Sequence, residues 1–202
     1  MSDQITVKGG GDNKFQPHPE GQFVAQCVDT IDLGDTVESF PGTPEKLAHK
    51  CVIVFRTGEK NESTGEFIDI GREFTVSMNE KANLRKFLEQ WRGKPYDAHQ
   101  IEEGVPLHKL TGNHGLLTIS HKTSGTGRTY ANVTACVGIP KQMASTVEKY
   151  DGYKRADYWA DKAKGYADLV KKFRAENAPT TMHDDDFADF PAPIDDEADL
   201  PF

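Results

Sequence analysis

The sequence predicts a mainly β domain followed by a helix and an acidic tail. Three observations predict it: short β-branched runs separated by turn residues, a single early switch from period two to period 3.6, and charge confined to one end. The 202 residues suffice for one domain of ordinary size plus appendages, and 36% hydrophobic content with a mean hydropathy of -0.64 leaves part of the chain unpacked.

Taken in order, residues 1–20 carry Gly9-Gly10-Gly11, Pro17 and Pro19 and read as a flexible lead-in. Gly21 to Leu33 reads as a strand with Phe23, Ala25 and Cys27 on one parity, and Asp35 to Glu45 as a loop punctuated by Pro41, Gly42 and Pro44. Lys50 to Arg56 is the clearest strand, charged at both ends. Gly58 to Gly65 is a hairpin connection, and Glu66 to Met78 a third strand in which Gly71 suggests a bulge or sharp bend. Asn79 then caps a helix with apolar Leu84, Phe87, Leu88 and Trp91, stopped by Gly93 and Pro95. After a loop, Leu116 to Lys122 and Thr129 to Val137 are strands four and five around the Ser124–Gly127 turn, and Pro140 closes the domain.

Three strands, a helix and two strands is the element order of a five-stranded OB-fold barrel with a helix between strands 3 and 4. Another small α+β sheet is the competing reading. The expected organisation is a lead-in over 1–20, the OB-fold domain over 21–140, a basic and aromatic helical segment over 141–178, and a disordered acidic tail over 179–202. In that helical segment Trp159, Tyr166 and Phe173 fall seven apart on one stripe. The stripe either packs on the barrel or a second subunit, giving a homodimer, or stacks nucleobases.

Charge is segregated. Asp184 to Phe202 holds eight acids and no base, equal to the whole net charge of -8, so residues 1–183 are neutral. Lys141 to Arg174 carries nine Lys or Arg against five acids. Such asymmetry points to an electrostatic partner or to self-masking, or merely to solubility.

Several function classes are excluded by what the chain lacks. Gly125-Thr126-Gly127-Arg128-Thr129 is a hairpin turn and not a phosphate loop, and there is no spaced Cys/His set, nucleophile elbow or His-Glu-x-x-His helix. Neither an enzyme nor a metal or other cofactor is expected. Cys27, Cys51 and Cys136 read as buried free thiols. With no apolar run near the ~18 residues that cross a bilayer, and no signal segment, the expected protein is soluble and intracellular without a membrane partner.

A binding surface remains. Single-stranded nucleic acid is held by cations along a groove and by aromatic faces for the bases. Strand alternation puts Lys50, Val52, Val54 and Arg56 on an outward face, and Cys51, Ile53 and Phe55 toward the core. Arg72 and Phe74 share a parity on strand three, where Phe74 is either core or platform, and Lys122, Arg128 and Tyr130 surround the last hairpin. These seven residues, Lys50, Arg56, Arg72, Phe74, Lys122, Arg128 and Tyr130, are the candidate DNA contacts, converging on the strand 2–3 face that OB-folds commonly use.

The ending Asp195-Asp196-Glu197-Ala198-Asp199-Leu200-Pro201-Phe202 resembles the acidic C-terminal tip of bacterial single-stranded-DNA-binding proteins. Glu73–Ser77, Leu84–Leu88 and Trp91–Lys94 resemble the OB-fold single-stranded-DNA-binding proteins of tailed bacteriophages. The body does not align residue by residue with the bacterial domain, so only Asp199, Leu200, Pro201 and Phe202 carry over, as partner-binding positions. The resemblance implies a protein of the infected bacterial cytoplasm that protects single-stranded DNA in replication, recombination and repair. Its tail would compete with DNA for the groove and dock replication or recombination proteins. Two rivals are a DNA-mimic inhibitor acting through the tail, and a barrel used only for protein contact.

Overall fold

The computed structural model describes residues 16–144 and 148–177. They form one antiparallel five-stranded sheet in the order β3-β2-β1-β4-β5: β1 Gly21–Glu38, β2 Lys46–Arg56, β3 Ile70–Thr75, β4 His114–Thr123 and β5 Thr129–Val137. Helix α1, Asn83–Arg92, lies between β3 and β4 as expected; α2, Ala98–Glu102, and a 3-10 turn, Leu107–Leu110, fill what reads in sequence as plain loop. A short α3, Lys141–Ala144, and the long α4, Asp157–Glu176, follow the sheet. Among the described residues no helix is long and apolar enough to cross a membrane. The lead-in up to Phe15 and the tail 179–202 lie outside the described residues, and with it Asp199, Leu200, Pro201 and Phe202.

The expected barrel is not closed by backbone pairing. β3 bonds only to β2, and β5 only to β4. A side chain spans the gap instead: Arg72 on β3 donates from Nη1 to the Thr134 carbonyl on β5, at 2.8 Å. Thr134 is the extra residue of a bulge, because Thr118 pairs with Ala135 and Ile119 with Val133, and a bulge frees a carbonyl from the ladder.

Two cores flank the sheet. On one face α1 buries Leu84, Phe87, Leu88 and Trp91 against Ala25, Cys27, Ile53, Phe55 and Phe74. On the other, Val28, Ile31, Leu33, Val52 and Val54 are covered by Tyr150, Tyr153, Trp159, Ala163 and Tyr166. Bulges in β1 feed both: the register skips Val28 and Leu33, so Ala25 and Cys27 face the first core while Ile31 reaches the second. The aromatic stripe thus packs on its own sheet, with Trp159 and Tyr166 half-buried. Bidentate Arg155–Asp29 bonds at 2.8 and 2.9 Å, and Lys162 Nζ and Tyr166 Oη on Glu73 at 2.5 and 2.7 Å, fasten α4 along its length. The Tyr166 phenol is pushed up to about 12 by burial and by its bond to Glu73.

Two local readings change. Asn79 does not cap α1; the N-cap is Ala82, and the Asn79 side chain instead accepts from Lys81 N within the preceding turn. Gly93 does stop the helix, left-handed at φ 74° with its N–H on Glu89 and Gln90. Gly71 sits in an unbroken β2–β3 register, so it makes no bulge. It is glycine because Trp159 lies on it: a Cβ there would come within 2.7 Å of the indole and 2.9 Å of Val52.

The three cysteines are free and buried, with burial raising the Cys27 and Cys136 thiols to about 12 and Cys51 to about 11. β1 and β2 continue past the body as an arm, pairing from Asp32–Cys51 out to Glu38–Lys46. His49 braces it with Nε2 2.9 Å from Asp32 and Nδ1 2.8 Å from Asp35. Acceptors at both ring nitrogens favour the doubly protonated imidazolium, and the bond to Asp35 leads the upward shift of the His49 pKa.

Gly71→Ala should cost about 1–3 kcal/mol by overpacking and red-shift the tryptophan emission as Trp159 lifts. Gly165→Ala, in open space mid-helix, should raise stability by about 1 kcal/mol; thermal melts read both. For His49, NMR titration should give a pKa above the ordinary histidine value, falling toward it in Asp35→Asn. A raised folded pKa means the brace is complete below the ordinary histidine pKa and is lost as pH rises through the raised value.

Candidate nucleic-acid interface

A cleft of about 520 Å³ opens between the arm, whose Leu33, Thr36 and Ala48 are buried, and the β3–α1 connection. Its walls are Glu38, Phe40 and Lys46 on the arm, Lys50 at the root of the arm, Arg72 to Thr75 on β3, and Asn79, Lys81, Ala82 and Asn83 leading into α1. Four cations, Lys46, Lys50, Arg72 and Lys81, face two carboxylates, Glu38 and Glu73. A second cavity of about 360 Å³ beside α1 is lined by Leu88, Trp91, Tyr96 and Leu110 with Arg92 as its one cation, and suits a polyanion less well.

Each charge in the cleft is differently committed. Lys50 donates from Nζ to Glu38 and, at 2.8 Å, to Thr75 Oγ1; Thr75 Oγ1 in turn donates to Glu38 at 3.1 Å. The Lys50 bond leads in holding the Glu38 carboxyl below its usual range. Lys46 is looser, its ammonium 3.9 Å from Glu38 on a side chain 67% exposed. Lys81 is exposed at the far wall. Arg72 lies over the rings of Phe74 and Phe87, 5.0 and 4.9 Å from their centroids, and burial lowers its pKa. Its guanidinium is fixed by the Thr134 carbonyl and floors the cleft as an oriented cation.

Of the sequence-predicted contacts, Lys50, Arg72 and Phe74 come together here. Phe74 is core: it is 3% exposed and packs on Phe87 with centroids 4.9 Å apart, so it supports Arg72 and offers no platform. Arg56 is not in the cleft. It is buried, bound to Asp69 through two bonds of 2.7 Å and layered between Phe67 and Tyr153. The outward face of β2 expected from alternation, Val52 and Val54 between Lys50 and Arg56, is the floor of α4 and meets no solvent. Lys122, Arg128 and Tyr130 are exposed on the β4–β5 hairpin, with Lys122 opposite Tyr130, and none of them lines the cleft.

Sequence reading passed over Phe40, Lys46 and Lys81. Phe40 is 54% exposed at the tip of the arm, next to Lys46 across the cleft mouth. A signal was present: an aromatic residue between Ser39 and Pro41 in a turn has little around it to bury its ring. With cations at three walls and one exposed ring, the cleft can take phosphates and a stacked base at once. No family model matches the chain, and no curated protein matches it.

Proposed function

We propose that this protein binds single-stranded DNA with little sequence preference, in phage replication and recombination, and that its acidic tail competes with the DNA and docks partner proteins. The observation that carries this reading is the cleft that Lys46, Lys50, Arg72 and Lys81 line together with the exposed Phe40. Phosphates need cations at backbone spacing, and a base of any identity needs only a π-face. The order β3-β2-β1-β4-β5, with α1 between β3 and β4, supports an OB-fold opened between its third and fifth strands. The cleft then lies beside the first hairpin loop, one of the loops that OB-folds use for ligands.

The path of α4 supports a role for the tail. Its contacts advance from Asp29 at Arg155, to Gly71 at Trp159, to Glu73 at Lys162 and Tyr166. Ten more residues, about 15 Å of helix, continue in that direction, toward Thr75 and the cleft. The eight acids of Asp184–Phe202 are tethered a few residues further on, at high effective concentration near the four cations. DNA in the cleft displaces them and releases Asp199, Leu200, Pro201 and Phe202 for a partner.

Fluorescence anisotropy with labelled oligo(dT), duplex DNA and RNA tests this. Oligo(dT) is expected to bind well above duplex, with affinity falling steeply as salt rises. Lys46→Gln and Lys81→Gln should each flatten the salt slope by about 0.7, and Phe40→Ala should cost about 1–3 kcal/mol. Deleting residues 184–202 should tighten binding at low salt and abolish capture of replication proteins. A body with no affinity for oligo(dT) sinks the reading in favour of a protein-contact module or a DNA mimic.

A further inference from the structure

The cleft holds two carboxylates among its four cations, and they are not equivalent. Glu73 looks away, to Lys162 and Tyr166, and fastens α4. The donors that reach Glu38 belong to the cleft itself: Lys50 Nζ, Thr75 Oγ1 at 3.1 Å and Lys46 Nζ at 3.9 Å. A carboxylate gathering two ammonium groups and a hydroxyl sits where a phosphate oxygen would be received, since both are anionic acceptors sought by the same donors. The contact is sheltered, with the Glu38 and Lys50 side chains 15% and 14% exposed, so it is screened less than a surface pair. It also sits on the arm, which carries Phe40 only two residues further on.

We propose that Glu38 is an internal competitor of the nucleic-acid phosphate. It occupies Lys50 and Thr75, draws on Lys46, and sets the affinity of the cleft below what its cations would otherwise give. The inference rests on the nucleic-acid reading and adds a residue that acts against binding, by positioning Lys50 and neutralising it. The built-in opposition leaves the cleft moderately charged, so a bound strand is released as well as held. A strand that takes Lys50 has to displace a carboxylate already in place.

The test uses the full chain, labelled oligo(dT) and anisotropy over a salt series. Glu38→Gln keeps the shape of the side chain and removes its charge. The expected result is a salt slope steeper by about 0.7, one more phosphate neutralised on a single strand, and affinity roughly eightfold tighter at ~50 mM salt. The gain should vanish near ~1 M salt, where a slope term has no lever. Glu38→Gln combined with Lys50→Gln should return to wild-type affinity. Glu38→Ala repeats the test if the glutamine disturbs the arm, with circular dichroism showing which variant is folded. Unchanged or weaker binding with an unchanged slope in a folded variant overturns the inference while leaving the DNA reading intact. The same full gain in the Lys50→Gln background also overturns it. A wild-type chain that fails to bind oligo(dT) removes the reading and the inference together.

Discussion

Residues Cys51 to Arg56 are buried without a break, so β2 needs covering on both faces, and the remaining architecture answers that need. One cover is α1, brought over Ile53 and Phe55 by the chain between β3 and β4. The other has to come from beyond the sheet, and α4 supplies it over Val52 and Val54. Each buried Val, Ile or Phe side chain contributes about 1.5–3 kcal/mol, so a bare second face would forfeit several such terms. α4 is therefore integral to the domain. Pro140 follows the last strand, which ends at Val137, and α4 beyond it still packs on the sheet.

Double coverage also decides where a ligand can go. With α4 on one face and α1 on the other, the charged side chains of the cleft lie at the end of β1 and β2 that carries their connecting turn. That place is the arm. Lys50 stands at its root, where the unbroken buried run of β2 ends, and Lys46 and Phe40 lie beyond it. Arg56, at the opposite end of the same strand, is enclosed with Asp69, Phe67 and Tyr153. Two cations with the same sequence standing, each at one end of an apolar run, thus have opposite fates. The difference is made by residues 150–153, about a hundred positions away, which pack on one end and not on the other.

Much of this was legible in the chain. The five strands, the helix between the third and fourth, and its Gly93 stop are all local signals: β-branched runs, period 3.6, a left-handed glycine. The core face of β2 was legible too, through Cys51, Ile53 and Phe55. The error lay in treating Val52 and Val54 as exposed. A run of five residues, Cys51 to Phe55, without a polar interruption marks a strand buried twice, and strict alternation is the signature of one buried once. Gly71 shows the other limit. A glycine in a strand signals a bulge, a bend or a close approach, and only the tertiary partner, Trp159, tells which. The lengths of β1 and the arm were hidden for a similar reason: Asp35 to Glu38 look like loop residues until the facing strand pairs with them and His49 bonds Asp35.

The open edge between β3 and β5 ties fold to cleft. Backbone pairing would have sealed the sheet and placed a neutral ladder where Arg72 now lies. Instead the Thr134 bulge offers a carbonyl, and Arg72 crosses to it over Phe74 and Phe87. One guanidinium thereby holds two strands together and keeps a cation in the floor of the cleft, where its donor geometry is set before any ligand arrives. Phe74 matters for the same reason: as a core ring under Arg72 it fixes a charge, which an exposed ring in its position would not do. Preorganisation of this kind lowers the ordering cost of binding. Above it the arm carries Lys46 and Phe40 on exposed side chains, the part of the cleft that a ligand of the proposed kind would meet first.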